Sequence, residues 1–186
     1  RIHDIVNEER QSLAGTFSLG ILPTIAPYLL PRFFTRLQRE HPEADIRVME
    51  MKTADIKRAL NRGELDAAIL VSLDDMDHYV QTPLFYEQFL AYVSRGDALF
   101  SHKAIKTSDL NNEFLWLLEE GHCFRDQLVK FCQLKSADSS KKTYSLGSIE
   151  TFMRMVEGGQ GVTFIPELAL EQLSPAQHEL VRPFAL

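Results

Sequence analysis

Between Gly15 and Val71 the apolar residues change their spacing four times, and this alternation restricts the segment to a sheet covered by helices. Gly15 to Leu22 alternates apolar and polar side chains, the period of a strand, and Pro23 and Thr24 end it. From Pro27, the residues Leu30, Phe33, Phe34 and Leu37 recur at helical spacing until Pro42 stops the run. A short strand is predicted at Asp45 to Met51 and a helix at about Ala54 to Asn61, with Gly63 as its stop. Leu65 to Val71 is a nearly continuous apolar run, as expected of a strand covered on both faces. Strand, helix, strand, helix, strand implies a parallel sheet with right-handed crossovers, so the first lobe is α/β.

Past Pro83, Leu84 to Ser94 is apolar and aromatic and reads as one long strand, or two, carrying the chain into a second lobe. Ser108 and Asp109 are placed to cap a short helix, and Phe114 to Leu118 reads as a buried strand. Lys135 to Lys142 is a polar loop. Ser148 caps a helix with Thr151 at its third position, and Ile149, Phe152, Met153 and Val156 form its buried side. Gly158, Gly159 and Gly161 terminate it. Val162 to Ile165 is a strand, Pro166 begins a short helix, and Leu180 to Arg182 is a final strand.

With 186 residues, 45% of them hydrophobic, the chain buries a core of its own. It has no run of about 18 apolar residues and no basic, apolar leader at its start, so a cytosolic, non-membrane protein is expected. A formal charge of −6 argues against a nucleic-acid-binding surface on this polypeptide, because phosphate contacts need clustered Lys and Arg. The basic groups Lys52, Lys57, Arg58 and Arg62, and Lys135, Lys141 and Lys142, are offset by nearby acids and read as solvated faces. His3, His41, His78, His102 and His178 lack ligand spacing, so neither a metal nor another cofactor is expected.

The two cysteines, Cys123 and Cys132, stand nine residues apart, and the residues between them read as helix. Such a helix puts the sulfurs roughly 13 Å apart along the axis and on opposite sides. A disulfide needs Cα atoms within about 7 Å, so pairing them would destroy the helix. Cys123 follows Gly121 near a predicted helix N-terminus, whose positive end favours a thiolate, and His122 and Arg125 add cationic or hydrogen-bonding partners. Cys132 follows Val129, Lys130 and Phe131 in an apolar neighbourhood. On local sequence two readings stand: a peroxide-sensing pair that passes through a sulfenic acid on Cys123 to a disulfide, or two small buried hydrophobes.

Three stretches carry a resemblance: Gly20-Ile21-Leu22-Pro23-Thr24-Ile25-Ala26-Pro27-Tyr28-Leu29-Leu30-Pro31, Gly63-Glu64-Leu65-Asp66-Ala67-Ala68-Ile69, and Glu120-Gly121-His122-Cys123-Phe124-Arg125-Asp126-Gln127 with Phe131-Cys132. Together they resemble the regulatory domain of the OxyR-type, peroxide-sensing branch of the LysR-type transcriptional regulators. The second stretch is general to LysR-type effector domains; the Gly-His-Cys motif with its second cysteine is specific to the peroxide-sensing branch. The likeness implies an α/β fold of two Rossmann-like lobes of periplasmic-binding-protein type with a cleft between them. It places the tail of a linker helix at 1–12, lobe I at 13–85 and lobe II with the redox cysteines at 86–186. An N-terminal winged helix-turn-helix and a C-terminal segment returning to lobe I, with an arginine near the peroxide site, have no counterpart here.

The same likeness makes Cys123 the peroxidatic and Cys132 the resolving residue. Thr24, Thr53 and His122 match positions that hold peroxide or orient the site, with Arg125 beside them, and a neutral peroxide needs several such hydrogen-bond partners. Read without the likeness, Thr24 is a turn residue and Thr53 a helix cap. Ser148 matches a hydroxyl that contacts effectors in other LysR-type proteins. The implied partners are hydrogen peroxide, a second and further copies of the chain in a homodimer or tetramer, promoter DNA through the N-terminal domain, RNA polymerase, and a thiol reductant such as glutaredoxin or thioredoxin. Two rival readings are an effector domain that binds a small organic metabolite in the cleft and a thiol peroxidase. No peroxidase motif is present, and a non-enzymatic role is expected.

Overall fold

The computed structural model describes residues 15–72, 76–119, 121–132 and 148–185. The linker-helix tail expected at the start of the chain and the polar loop expected over Lys135 to Lys142 lie outside them. The chain divides after Val71 into two compact units.

In the first unit, β1 (Gly15–Ile21) is the middle strand of a parallel sheet in the order β2-β1-β3. Strand β2 (Ala44–Glu50) pairs with β1 over its whole length, and β3 (Ala67–Ile69) pairs with its last three residues. Parallel neighbours need crossovers, supplied by helices α1 (Ala26–Glu40) and α2 (Thr53–Asn61). Pro27 sits in the first turn of α1, where a missing N–H costs nothing. Ile21, Leu22, Ala26, Tyr28 and Ile56 form the centre of the core.

Two expectations need correction. Burial in β1 does not alternate; it rises along the strand until Leu19, Gly20 and Ile21 are all buried, because only that end is flanked on both sides. The third strand is three half-buried residues, shorter than Leu65 to Val71 and not covered on both faces.

In the second unit, β4 (Phe89–Val93) is the middle of a sheet in the order β5-β4-β6 and runs antiparallel to both β5 (Val162–Pro166) and β6 (Val181–Arg182). Helix α3 (Cys123–Cys132) follows β4 in the chain, and α4 (Ile149–Glu157) packs on β4 and β5. A short α5 (Pro175–His178) precedes β6. Ile149, Phe152, Met153 and Val156 are buried as predicted, and Ser148 Oγ accepts from the Thr151 N–H at 3.2 Å as the cap of α4.

The strand expected from Leu84 begins only at Phe89, and Leu84 and Tyr86 are exposed. Phe114 to Leu118 forms one parallel bridge, Leu115 to Val162, in place of a strand. Its bonds are Trp116 N–H to the Val162 carbonyl and Val162 N–H to the Phe114 carbonyl, both 2.9 Å. The helix expected at Ser108 is a 3₁₀ helix over Thr107–Asn112, and Asp109 closes it by accepting from the Lys106 N–H at 2.9 Å. Buried Tyr92 donates its hydroxyl to Glu157 at 2.8 Å, and Gln177 and Arg154 donate to the same carboxylate at 2.8 and 2.7 Å, which ties β4, α4 and α5 together.

Candidate redox site

The helix predicted between the cysteines is present, and its ten residues begin at Cys123 and end at Cys132. Gly121 takes a left-handed φ of 87°, turning the chain into the helix at a point where a side chain would be strained. The Asp126 N–H donates to the His122 carbonyl at 3.2 Å, so His122 stands before the helix and Cys123 is its first residue. The thiol is therefore at the end where backbone N–H groups have no intrahelical acceptor and the dipole is positive.

Nine residues of helix rise carry Cys132 about 13 Å along the axis and half a turn round it. Phe124, Arg125, Leu128 and Cys132 share the buried arc, while Asp126 and Lys130 lie on the solvent arc. Cys123 falls on the solvent side of that wheel, yet only 5% of it is exposed; Cys132 is 3% exposed. Both are thiols, with no disulfide between them. Burial pushes the Cys132 thiol up to about 11, in keeping with the apolar neighbourhood expected for it.

His122 and Arg125 are buried on either side of Cys123 in sequence. The His122 Nε2 lies 4.0 Å from the Glu119 carboxylate. Sequence reasoning did not single out Glu119; its spacing of three residues from His122 was the available signal. Phe124 packs edge-on against Phe89 of β4, with ring centroids 4.9 Å apart, and fixes the first turn to the sheet.

Thr24 and Thr53 are both buried residues of the first unit. Thr24 lies in the turn between β1 and α1. Thr53 is the first residue of α2, after Lys52, and so is neither before the helix nor its cap. Its Oγ1 is buried with no hydrogen-bond partner among the described residues. Ser148 is exposed and spends its hydroxyl on capping α4. Among the described residues no group of His, Cys, Asp or Glu is arranged to hold a metal, and no helix is long and apolar enough to cross a membrane.

The family model for the LysR substrate binding domain matches residues 10–186. The hydrogen peroxide-inducible genes activator of Dickeya chrysanthemi is 32% identical over 171 residues, which are 92% of this chain and 56% of that protein. The chain spans about half the length of the curated relatives it matches. OxyR from Porphyromonas gingivalis is 51% identical with a TM-score of 0.84, over 93% of this chain and 79% of that one. The reduced form of the OxyR regulatory domain from Pseudomonas aeruginosa is 32% identical with a TM-score of 0.79, over 94% and 84%. With its mixed sheets and helices matching these folds, the chain belongs to the LysR substrate-binding-domain family, in the OxyR group of regulatory domains.

Proposed function

We propose that this chain is the hydrogen-peroxide-sensing regulatory domain of a DNA-binding transcriptional regulator, switched by a reversible Cys123–Cys132 disulfide. One observation carries the reading: two buried thiols occupy the first and last residues of a single helix, too far apart to bond while it stays coiled. The 32% identity to the hydrogen peroxide-inducible genes activator of Dickeya chrysanthemi supports it.

The Cys123 thiolate attacks one peroxide oxygen, the O–O bond breaks, hydroxide leaves and a sulfenic acid remains. The Cys132 sulfur then attacks that sulfur and displaces hydroxide, so the S–O bond breaks as the S–S bond forms. In sum two thiols are oxidised and one peroxide is reduced to two waters. The positive end of α3 favours the thiolate, and His122 and Arg125 serve it as hydrogen-bonding and cationic groups. Thr24 and Thr53 are assigned to holding peroxide, and the buried Thr53 hydroxyl suits a small polar guest. Loss of the helix changes how copies of the chain pair, a population shift between two packings. Pairing in turn sets the position of the DNA-binding domains on promoter DNA and the encounter with RNA polymerase in the cytoplasm. Glutaredoxin or thioredoxin reverses the bond. The domain is a switch reset by reductant and not an enzyme with turnover.

The test is one equivalent of hydrogen peroxide without reductant, followed by mass spectrometry of the Cys123 and Cys132 peptides and far-UV circular dichroism. A linked peptide pair and loss of about ten residues of helix are expected, and Cys123→Ser abolishes both. In Cys132→Ser, a dimedone-type probe labels Cys123. Retained helicity in the fully oxidised protein would overturn the switch. The metabolite-binding reading instead requires a small organic acid to raise the melting temperature, with Ser148→Ala lowering that gain.

A further inference from the structure

We propose that the contact between Phe131 and Phe184 is a latch on the Cys132 end of α3, and that it sets how fast the disulfide closes once Cys123 has been oxidised. The inference rests on the switch proposed above and adds a positioning residue to it.

The two ends of α3 are held very differently. Phe124 is 7% exposed and Leu128 1% exposed, so the first half is anchored in the core, with the Phe124 ring edge-on to Phe89 of the central strand β4. Beyond Leu128, only Cys132 is buried. Val129 is half-buried, Lys130 is exposed, and Phe131 is 50% exposed. Despite that exposure the Phe131 ring stands edge-on to Phe184, with centroids 5.2 Å apart and planes at 83°. This is the favoured geometry of an aromatic pair.

Phe184 is a fixed platform. The Ile105 N–H donates to the Pro183 carbonyl and the Ala185 N–H to the Ile105 carbonyl, both at 2.9 Å, so the backbone is pinned on either side of it. Its ring stacks on that of Phe164 in β5, with centroids 6.2 Å apart and planes at 14°, and Phe164 is itself 2% exposed. A half-exposed ring on a helix end therefore meets a ring that cannot follow it. When the last turn opens, the helix side of the contact is the one that moves.

For the sulfurs to meet, one must travel about 13 Å along the former axis. The last turn of a helix has carbonyls without intrahelical donors and opens before the middle does. With Phe124 and Leu128 in the core, Cys132 is the traveller and Cys123 the fixed point. Opening of the last turn precedes attack of the Cys132 thiolate on the Cys123 sulfenic acid. Any contact that exists only in the closed turn slows that attack in proportion. An edge-to-face pair corresponds to about a 2- to 10-fold equilibrium factor. Formation of the sulfenic acid needs no such opening and is insensitive to the latch.

The experiment follows both steps in the full-length protein by rapid mixing with peroxide, acid quenching, thiol alkylation and mass spectrometry of the two cysteine peptides. Phe131→Ala and Phe184→Ala are each expected to speed disulfide closure about 2- to 10-fold while sulfenic acid forms at the parent rate. The double variant gains no more than the larger single effect, because both remove the same contact. Phe131→Leu, which keeps bulk but not the ring, falls between, and it stands in if the alanine variant fails to fold. Closure at the parent rate in Phe131→Leu and Phe184→Ala overturns the latch and leaves the switch standing. If the parent protein forms no disulfide, the switch itself falls and the latch with it.

Discussion

Cys123 and Cys132 begin and end the same helix half a turn apart, and both are buried, although only Cys132 lies on the helix's core-facing arc. Cys132 is covered by the packing of α3 itself. Cys123 is buried although it lies off that arc, at the end whose N–H groups lack intrahelical acceptors. The same ten residues thus give two thiols of opposite character: one in an apolar interior, one at a polar helix start.

This contrast has a pH signature. Burial raises Cys132 from an ordinary value of 9.0 to about 11 in the folded chain. The folded state keeps a proton that the unfolded state gives up, so the contribution is whole below about pH 9 and is lost as the pH rises toward 11. Reduced protein unfolded with urea at stepped pH should lose stability over that window, and Cys132→Ser should lose less. A parallel pH profile for the two proteins would contradict it.

Glu157 is the junction of the second unit. Its burial works to raise the carboxyl, but hydrogen bonds from Gln177, Tyr92 and Arg154 outweigh it and hold the group below its usual 4.5. The Tyr92 phenol is raised, by burial first and then by its bond to Glu157. Tyr92→Phe should cost about 1.5 kcal/mol near neutral pH, the low end for a bond to a charged group. The stabilisation from Glu157 is present above its unfolded value and fades as the pH falls through the lowered one, so the cost should shrink in acid. Urea unfolding at pH 7 and pH 3 measures both.

Gly161 has a φ of +82°, and a Cβ there would come within 2.5 Å of the Phe114 carbonyl oxygen. That oxygen is backbone and accepts from Val162, so it cannot yield without breaking the Leu115–Val162 bridge. Gly161→Ala is expected to destabilise by about 2 kcal/mol or more, through strain and loss of the bridge. The emission of Trp116, the single tryptophan of the chain and bonded from Nε1 to the Gln160 carbonyl at 3.0 Å, should shift with it. Unchanged emission and stability would refute the account.

Ser148→Ala removes the cap of α4 and should cost about 1 kcal/mol, whereas Ser148→Asp should restore most of it. Thermal unfolding of the two variants gives the comparison. Equal losses for both would show that the hydroxyl does something other than accept the Thr151 N–H.

Much of the fold was legible in the residue pattern. Helices α1, α2 and α4 lie where apolar spacing, Pro27, Gly63 and Ser148 put them, because periodicity and end signals act over a few neighbours. The runs Leu84 to Gln88 and Phe114 to Leu118 misled for one reason: a hydrophobic run states that a segment is extended or buried, not that a neighbouring strand lies alongside. Phe131 gave no hint of its partner, since Phe184 is brought to it by long-range contacts, the Ile105–Phe184 bridge and the stack on Phe164 among them.

What the sequence alone determined is the incompatibility between a coiled Cys123–Cys132 segment and a bond between its ends, since helical rise and turn are properties of the local backbone. That both thiols are buried, which end of the helix is firmly held and which carboxylate stands near His122 were decided by the tertiary structure. Those depend on which distant segments cover a side chain, and coverage is a property of the packed chain as a whole.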